Sequence, residues 1–114
     1  MYYINILTPE GKEKIDCNQL LYAESNFKFS RLILMNNTIN TLSSLQELES
    51  KLISQGFFRL NNNYIVNLKY VQLIFPSNSS KLIMENGMAI SVDYSKREDL
   101  FHCLRKVYEL HELV

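Results

Sequence analysis

Three consecutive asparagines form the most unusual polar block of this 114-residue chain. Asn61, Asn62 and Asn63 stand between the segments FFRL and YIVN, which have the alternating pattern of β-strands. Because three adjacent asparagines cannot all enter a core, the block indicates either a turn, in which asparagine caps its own backbone, or a binding surface. An asparagine amide can pair bidentately with the N6/N7 edge of adenine. The turn and the nucleic-acid contact both stay open at this point.

The other reactive side chains do not form a catalytic or metal-binding pattern. His102 and His111 are nine residues apart, which fits neither a helical i,i+4 metal pair nor a partner for a nucleophile. Cys17 and Cys103 belong to no CxxC motif, so the sequence indicates reduced thiols without a metal. The glycines fall in turn or cap positions, which leaves no phosphate-binding loop. We therefore expect a protein that is not an enzyme and that uses no cofactor and no small-molecule substrate.

Length and charge restrict the class of protein further. A chain of 114 residues with 46% hydrophobic residues can bury one core, so we expect a single domain over residues 1–114. The apolar runs are too short to cross a bilayer and the start of the chain lacks a signal-peptide pattern, which favours the cytoplasm and no membrane contact. The 12 basic and 12 acidic residues balance, without the basic excess typical of nucleic-acid binders. Any DNA contact must then depend on local clusters of cations.

Most of the chain has the period-two alternation of β-strands, interrupted by turn residues. Residues 27–35 carry apolar side chains on both faces, which predicts a central strand. The asparagine pair at 36–37 tolerates left-handed backbone angles and predicts a tight turn. Asn86 and Gly87 give the strongest hairpin signal, because this dipeptide favours a positive φ, and residues 76–80 predict a polar loop. The predicted strands cover residues 2–6, 12–17, 20–23, 27–35, 38–41, 58–60, 64–68, 71–75, 81–85 and 88–92.

Two segments change to the 3.6-residue period of an amphipathic helix. In the first, at residues 44–55, leucines form one stripe, Ser44 and Glu47 fit a capping box, and Gly56 can supply the left-handed residue that ends the helix. The second helix starts near Ser95 and also carries an apolar stripe. The whole pattern predicts a mainly β fold with two helices, α+β by content. The stripe of the second helix contains Leu100, Leu104, Val107, His111 and Val114.

The asparagine block lies in a segment that resembles a known signature. Residues 57–71, FFRLNNNYIVNLKYV, resemble the F-x-R-x-H-x-S-Y-x-V-N-x-x-x-I pattern of LytTR domains, a family of bacterial transcription regulators. Upstream, residues 21–26 resemble the family's I-x-Y-I-E-A strand, and residues 44–52 resemble its L-x-x-L-E-x-x-L helix. Downstream, the Asn-Gly hairpin ending at residues 91–92 resembles its K-N-G to V-S-R segment. The resemblance spans residues 15–97 in the family's order.

This resemblance implies an elongated stack of small antiparallel sheets with a short central helix and a C-terminal helix. It also implies a bacterial response-regulator output domain in the cytoplasm, which regulates transcription by binding double-stranded DNA at promoter repeats. Loops and strand ends, rather than a recognition helix, would contact two successive major grooves and the minor groove between them. A homodimer on DNA would be compatible with such repeats.

Matching the family's recognition positions onto this chain gives a set of candidate DNA contacts, with two departures. Asn61 and Asn63 stand where the family has histidine and serine, which keeps the hydrogen-bonding capacity and changes its shape. Asp93 stands where the family usually has arginine, and its carboxylate is repulsive near phosphates unless it accepts a hydrogen bond from cytosine. The candidates for base readout are Ser30, Arg31, Asn61, Asn62, Asn63 and Asp93, and the candidates for holding phosphates are Arg59, Lys96 and Arg97.

Two functions from different classes follow from these features. The first is a sequence-specific DNA-binding regulator. The second is a LytTR-like protein-interaction or dimerisation module with weak or lost DNA binding, which would use its β-edges or its C-terminal helix. Clustering of the basic candidates on one face would favour the first function, whereas an acidic or apolar patch there would favour the second.

Overall fold

The computed structural model describes residues 2–74 and 81–112, and forms ten strands and two α-helices within them. The predicted loop at 76–80, the end of the strand predicted at 71–75, and Val114 lie outside the described residues. The strands are β1 (Tyr3–Thr8), β2 (Gly11–Asp16), β3 (Leu20–Asn26), β4 (Phe29–Leu34), β5 (Thr38–Thr41), β6 (Phe57–Asn61), β7 (Tyr64–Asn67), β8 (Val71–Ile74), β9 (Lys81–Met84) and β10 (Ala89–Ser91). The helices are α1 (Leu45–Leu52) and α2 (Arg97–Glu112).

These strands form three antiparallel sheets, which confirms the predicted stack of small sheets. The central sheet has five strands in the order β5-β4-β3-β7-β6, flanked by the β1-β2 hairpin and by a three-stranded sheet in the order β10-β9-β8. The molecule measures 43 × 33 × 24 Å along its principal axes, in agreement with an elongated body. The mainly β fold with two helices is therefore the one that the periodicity and the family resemblance predict.

Two hydrophobic cores lie on opposite faces of the five-stranded sheet. Successive side chains of a strand point to opposite faces, so Ile65 of β7 enters one core and Val66 enters the other, and both are fully buried. The first core packs the sheet against β1, β2 and α1, and the second packs it against the three-stranded sheet and α2. The first contains Ile4, Ile6, Leu32 and Leu48, and the second contains Leu60, Leu82, Ile90 and Leu100.

The two cysteines belong to different cores. Cys17 is buried in the first, whereas Cys103 is half-buried and packs against the second. Burial, and to a lesser extent the charge of Asp16, raises the pKa of the Cys17 thiol to about 11. The thiol of Cys17 is therefore protonated at neutral pH and is a poor nucleophile.

Helix α1 begins at the predicted capping box. The Ser44 hydroxyl accepts a hydrogen bond from the Glu47 amide (3.1 Å), and the Glu47 carboxylate accepts one from the Ser44 amide (3.4 Å). The helix ends with a 3-10 turn at Ile53–Gln55 and with Gly56 in the left-handed region (φ 80°). Both helix ends therefore form as the sequence predicts.

The Asn86-Gly87 hairpin also forms as predicted. Gly87 has a φ of 90°, and the Asn86 side chain accepts a hydrogen bond from the Met88 amide (3.1 Å). The same side chain donates to the hydroxyl of Tyr22 on the central sheet (3.1 Å). This contact ties the outer hairpin to the sheet.

One predicted strand begins later than expected. Residues 27–35 were expected to form a single strand, but Phe27 and Lys28 form the two-residue turn between β3 and β4, and the strand begins at Phe29. Phe27 has a φ of 57°, which bulky residues rarely adopt. The turn was missed because neither phenylalanine nor lysine is a turn-forming residue.

The strand predicted at 64–68 ends one residue earlier, at the buried side chain of Asn67. Its side-chain nitrogen donates to the carbonyls of Cys17 (3.3 Å) and Leu20 (3.0 Å). Its side-chain oxygen accepts from the Lys69 amide (3.3 Å) and caps the 3-10 helix at Leu68–Tyr70, which replaces the end of the predicted strand. Asn67, which belongs to the family signature, thus joins two parts of the first core.

Helix α2 follows a 3-10 turn at Tyr94–Lys96 and packs on the second core. Leu100 and Leu104 are buried and Val107 packs beside them, which confirms this part of the predicted stripe. The side chain of His111 lies outside the described residues. Within residues 2–74 and 81–112, the helices do not combine the length and apolar character that a bilayer span requires.

Candidate nucleic-acid interface

The candidate residues come together at one end of the five-stranded sheet. Three chain segments meet there and are joined by backbone hydrogen bonds. The Ser25 amide donates to the Asn63 carbonyl (2.9 Å), which links the end of β3 to the asparagine block. The Asp93 amide donates to the Leu60 carbonyl (3.0 Å), which links the segment after β10 to β6. This end of the molecule, called the contact edge below, comprises residues 24–31, 59–64 and 92–97.

The asparagine block forms the turn between β6 and β7, and Arg59 holds it. The Arg59 side chain donates from Nε to the Asn61 carbonyl and from Nη2 to the Asn62 carbonyl, both at 2.8 Å. Its Nη1 donates to the carboxylate of Glu49 on α1, also at 2.8 Å. Because each of its three guanidinium nitrogens donates a hydrogen bond, Arg59 anchors the turn to helix α1. The turn interpretation of the asparagine block is therefore confirmed.

Two of the three asparagine side chains also stabilise this arrangement. Asn61 donates to the Ser91 carbonyl of β10 (2.7 Å) and accepts from the Asn63 amide (2.7 Å). The Asn63 side chain accepts from the Ser25 hydroxyl (2.8 Å). Asn62 differs, because it is exposed and its side-chain amide forms no hydrogen bond with the described residues. The turn therefore presents one asparagine amide to solvent on a rigid support.

Arg31 lies on the opposite face of the sheet from Arg59 and is also paired. Its Nη1 contacts the Glu24 carboxylate at 3.0 Å, with 44% of the Arg31 side chain exposed. Tyr64 is the next residue in this row across the sheet, because Glu24 pairs with Arg31 on β4 and with Tyr64 on β7. Burial, and then the neighbouring Glu24 carboxylate, raises the pKa of the Tyr64 phenol. The phenol therefore stays protonated at neutral pH.

Ser30 is fully buried at the start of β4. Its hydroxyl has no hydrogen-bond partner among the described residues, although its register partner Thr41 has two. The Thr41 hydroxyl donates to the Leu7 carbonyl (2.9 Å) and accepts from the Ser43 amide (3.1 Å). The Ser30 side chain thus lies behind the surface of the contact edge.

The third segment carries the remaining charged candidates and is joined to β6 through the Asp93 amide. Asp93 is exposed and its side chain does not cap the 3-10 turn that follows. The Arg97 guanidinium lies over the ring of Tyr94, 5.2 Å from its centroid, and 83% of Tyr94 is exposed. Lys96 and Arg97 are half-buried and form no salt bridge with the described carboxylates. These two cations are therefore available for phosphates.

The contact edge brings together all nine candidates, but the four basic ones do not form a continuous patch. Arg31 and Arg59 project from opposite faces of the central sheet, and each has a carboxylate partner. Lys96 and Arg97 lie on the third segment. The contact edge is therefore a row of polar groups with separate cations rather than a uniformly basic surface.

Three features of this edge are absent from the sequence-based expectations. Glu24 and Glu49 neutralise two of the candidate cations, and the turn at Phe27 and Lys28 extends the edge beyond Ser25. The polar run ESN at residues 24–26, between buried Ala23 and the apolar part of β4, is the signal that could have located this turn. The pairing with Glu49 had no such signal, because the glutamate lies on a helix ten positions away.

Metal chemistry finds no support at the contact edge. Across the part of the chain that the structure describes, groups of three or more histidine, cysteine, aspartate or glutamate residues with the spacing of a metal site do not occur. The polar groups of the contact edge include amides, hydroxyls and guanidinium groups, which suit hydrogen bonding to bases and phosphates.

Comparison with known proteins relates this architecture to one family. The family model of the LytTr DNA-binding domain matches residues 10–105. A solved LytTr DNA-binding domain from Bacillus cereus, described as part of a methyl-accepting/DNA response regulator, has 26% sequence identity and a TM-score of 0.71. The match covers 91% of this chain and 96% of that one. A search of curated protein sequences returns no match. The chain belongs to the LytTR family of DNA-binding domains.

Proposed function

We propose that this domain is a sequence-specific transcription regulator that binds double-stranded DNA through the contact edge. Asn62 is the principal base-reading residue, because its amide is the one that the asparagine turn leaves exposed and unpaired among the described residues. An exposed asparagine amide can make two hydrogen bonds to adenine in the major groove. The observation that best supports this proposal is the pair of hydrogen bonds from Arg59 to the turn, since they fix the backbone at Asn62 before DNA binds.

The other candidates either contact the DNA or support the residues that do. Lys96 and Arg97 hold phosphates, and Asp93 stands beside them, where it can accept a hydrogen bond from cytosine. Arg59, Asn61 and Asn63 support the turn, and Arg31 completes the interface on the β4 side. Ser30 is fully buried behind this surface and makes no direct contact with DNA in the proposal. Loops and strand ends make the contact, without a recognition helix.

Membership of the family supports the following setting for this activity. The domain acts as the output domain of a bacterial response regulator, in the cytoplasm, at repeated promoter elements, where two copies can bind as a dimer. It uses no catalytic step, because its contribution is to select a DNA site.

A second function is favoured by the charge distribution. Carboxylates pair with Arg31 and Arg59, and the net charge of the chain is zero, so the attraction to DNA phosphates is weak. A LytTR-like interaction or dimerisation module would retain the same fold without DNA binding. One measurement distinguishes the two functions: the binding of duplex DNA at low salt.

A binding selection from random duplex DNA at low salt, followed by Asn62→Ala, tests the proposal. We expect the wild type to select a preferred site, and Asn62→Ala to lower affinity for it by about 5- to 150-fold, the loss of one bidentate base contact, with an unchanged Tm. Asn36→Ala is the matched control, because Asn36 is also exposed but lies in the turn at the other end of β4, and it should change neither quantity.

Two outcomes would contradict the proposal. Failure of the wild type to shift any duplex would overturn DNA binding and support the interaction module. A lower Tm for Asn62→Ala, with normal DNA binding by the folded fraction, would leave Asn62 as a turn-forming residue only.

A further inference from the structure

The most exposed large hydrophobic residue among those described lies at the tip of the contact edge. Phe27 is 99% exposed, whereas a phenylalanine in a folded domain usually buries most of its ring. It makes up one half of the two-residue turn between β3 and β4, whose flanking residues Asn26 and Phe29 are paired. Packing within this domain therefore does not account for the ring.

Backbone geometry makes the presence of phenylalanine at this position more unusual. The first residue of the turn, Phe27, has a φ of 57°, and the second, Lys28, does not have a positive φ. A positive φ at only the first of two loop residues is the pattern of a type II′ turn, in which glycine ordinarily occupies that position. The fold thus holds a bulky side chain where glycine would be more stable, a feature that often marks a functional site.

The turn is also rigidly connected to the asparagine turn. Two residues before Phe27, the Ser25 amide and hydroxyl both bind Asn63, at 2.9 and 2.8 Å. Asn62 and Phe27 are therefore presented by two turns that are bonded to each other. The two turns lie at the same end of the central sheet, so a duplex read by Asn62 is brought towards the turn that carries Phe27.

From this arrangement we propose that Phe27 is a wedge that inserts between base pairs of the bound duplex and bends it. The inference rests on the proposed function and specifies how the same edge deforms the bound DNA. Proteins that bend DNA insert apolar side chains between base steps and partly unstack them. Lys28 follows Phe27 directly, so a cation is at hand for a phosphate that flanks the opened step.

The surroundings of Phe27 favour DNA over a protein partner. Asn26 and Lys28 flank Phe27 in the chain, and the Nζ of Lys28 lies over the ring of Phe29, the first residue of β4, 5.7 Å from its centroid. A protein interface would require a larger continuous apolar patch. An almost fully exposed ring between an asparagine and a lysine fits the gap between two base pairs.

Two substitutions at position 27 distinguish the effect of the aromatic ring from the effect of the backbone strain. Phe27→Ala removes the ring and keeps a non-glycine residue at the positive φ, whereas Phe27→Gly removes the ring and relieves the strain. We expect Phe27→Gly to raise the Tm by about 5 °C over Phe27→Ala, since each kcal/mol of relieved strain shifts a domain of this size by several degrees. Ile53→Ala is the control, because Ile53 is 53% exposed and precedes β6 at the other end of the sheet.

The DNA measurements use duplexes that contain the selected site. End-to-end fluorescence energy transfer reports the bend, a base analogue that brightens on unstacking reports insertion, and anisotropy gives the affinity. Both Phe27 variants should lose the bend and the unstacking signal and should bind about 5- to 150-fold more weakly, the effect of losing one base–aromatic contact. The salt slope should stay unchanged, whereas Lys28→Ala should lower its magnitude by about 0.9.

The outcomes distinguish this inference from the proposed function. If the Phe27 variants bind and bend the selected site like the wild type, the wedge is overturned and DNA binding stands. Weaker binding with an unchanged bend and no loss of unstacking would also overturn the wedge, since Phe27 would then be a surface contact. If the wild type binds no duplex, both the proposed function and the wedge fail.

Discussion

The buried hydroxyl of Ser30 shows how one side chain can oppose the stability of the sheet around it. Ser30 is fully buried without a hydrogen-bond partner in the described part of the chain, while the hydroxyl of Thr41 beside it is satisfied. An unsatisfied buried polar group destabilises a protein by about 1 to 3 kcal/mol. The start of β4 is therefore less stable than its burial suggests.

Replacement of Ser30 by alanine should stabilise the domain. We expect Ser30→Ala to raise the free energy of unfolding by about 1 kcal/mol, because it removes the unsatisfied hydroxyl and few packing atoms. Urea unfolding monitored by circular dichroism measures the change. Thr41→Val is the control, and it should lower stability because it breaks two hydrogen bonds. A loss of stability in Ser30→Ala would show that the hydroxyl has a partner in solution, such as a bridging water.

At the scale of elements, the asparagine turn depends on one arginine. Arg59 satisfies two carbonyls of the turn and pairs with Glu49, and only 18% of its side chain is exposed. Lysine cannot reproduce this arrangement, because its ammonium lacks the planar fork of the guanidinium. The turn is therefore more sensitive to the geometry of Arg59 than to its charge.

Substitution of Arg59 by lysine tests this dependence. We expect Arg59→Lys to lower the free energy of unfolding by about 1 to 3 kcal/mol, since it leaves the partly buried Asn61 carbonyl without its donor and weakens the pairing with Glu49. Affinity for the selected DNA site should fall as well, because the orientation of Asn62 is no longer fixed. Arg31→Lys is the matched control: its ion pair is more exposed, so its stability should change by less than about 1 kcal/mol. Equal effects from the two substitutions would mean that charge alone matters.

The sequence predicts those elements whose signals are local. The capping box of α1, the Asn86-Gly87 hairpin and the asparagine turn each depend on residues within a few positions of one another, and each forms as expected. The turn at Phe27 was missed because its geometry opposes the preference of the residue. Its position is dictated by the pairing of β3 with β4 over the whole hairpin, which local preference cannot report.

For the candidate site, the structure shows that the three predicted segments meet, whereas the part that each residue plays in DNA binding stays a prediction. The family resemblance indicated the three segments that meet at the contact edge. It did not indicate that Arg59 would point towards Glu49, because that pairing requires α1 to pack against the central sheet. Residue type and spacing thus locate a polar surface, whereas tertiary contacts decide which of its side chains remain available to a ligand.

At the scale of the whole molecule, electrostatics limits the affinity for DNA. The chain has 12 basic and 12 acidic residues, and two of the cations at the contact edge are paired with carboxylates. Long-range attraction to a polyanion is therefore weak, and the few available cations must lie close to phosphates to contribute. Asp93 is exposed at the same edge and opposes them.

Reversal of this charge should strengthen DNA binding. Asp93→Arg changes the net charge from 0 to +2, since it removes one negative and adds one positive charge. We expect affinity for a duplex that lacks the selected site to rise at low salt, with a gain that shrinks as salt increases. The slope of log affinity against log salt should grow in magnitude by about 0.9 for the added phosphate contact. A salt series on one such duplex gives the affinity of the wild type and of the variant. The free energy of unfolding should not change, because Asp93 is exposed. Equal affinities at every salt concentration would place Asp93 away from DNA.

The order of strands in the central sheet has a consequence for synthesis on the ribosome. β3 pairs with β4 locally, but its other neighbour is β7, and Tyr22 is paired with Val66. Until the ribosome has released β7, the edge of β3 that will pair with β7 is open. An open strand edge is a template for pairing with other chains. The domain can complete its central sheet only after more than half of it has been translated. The open edge of β3 is thus closed when the asparagine turn and β7 leave the exit tunnel.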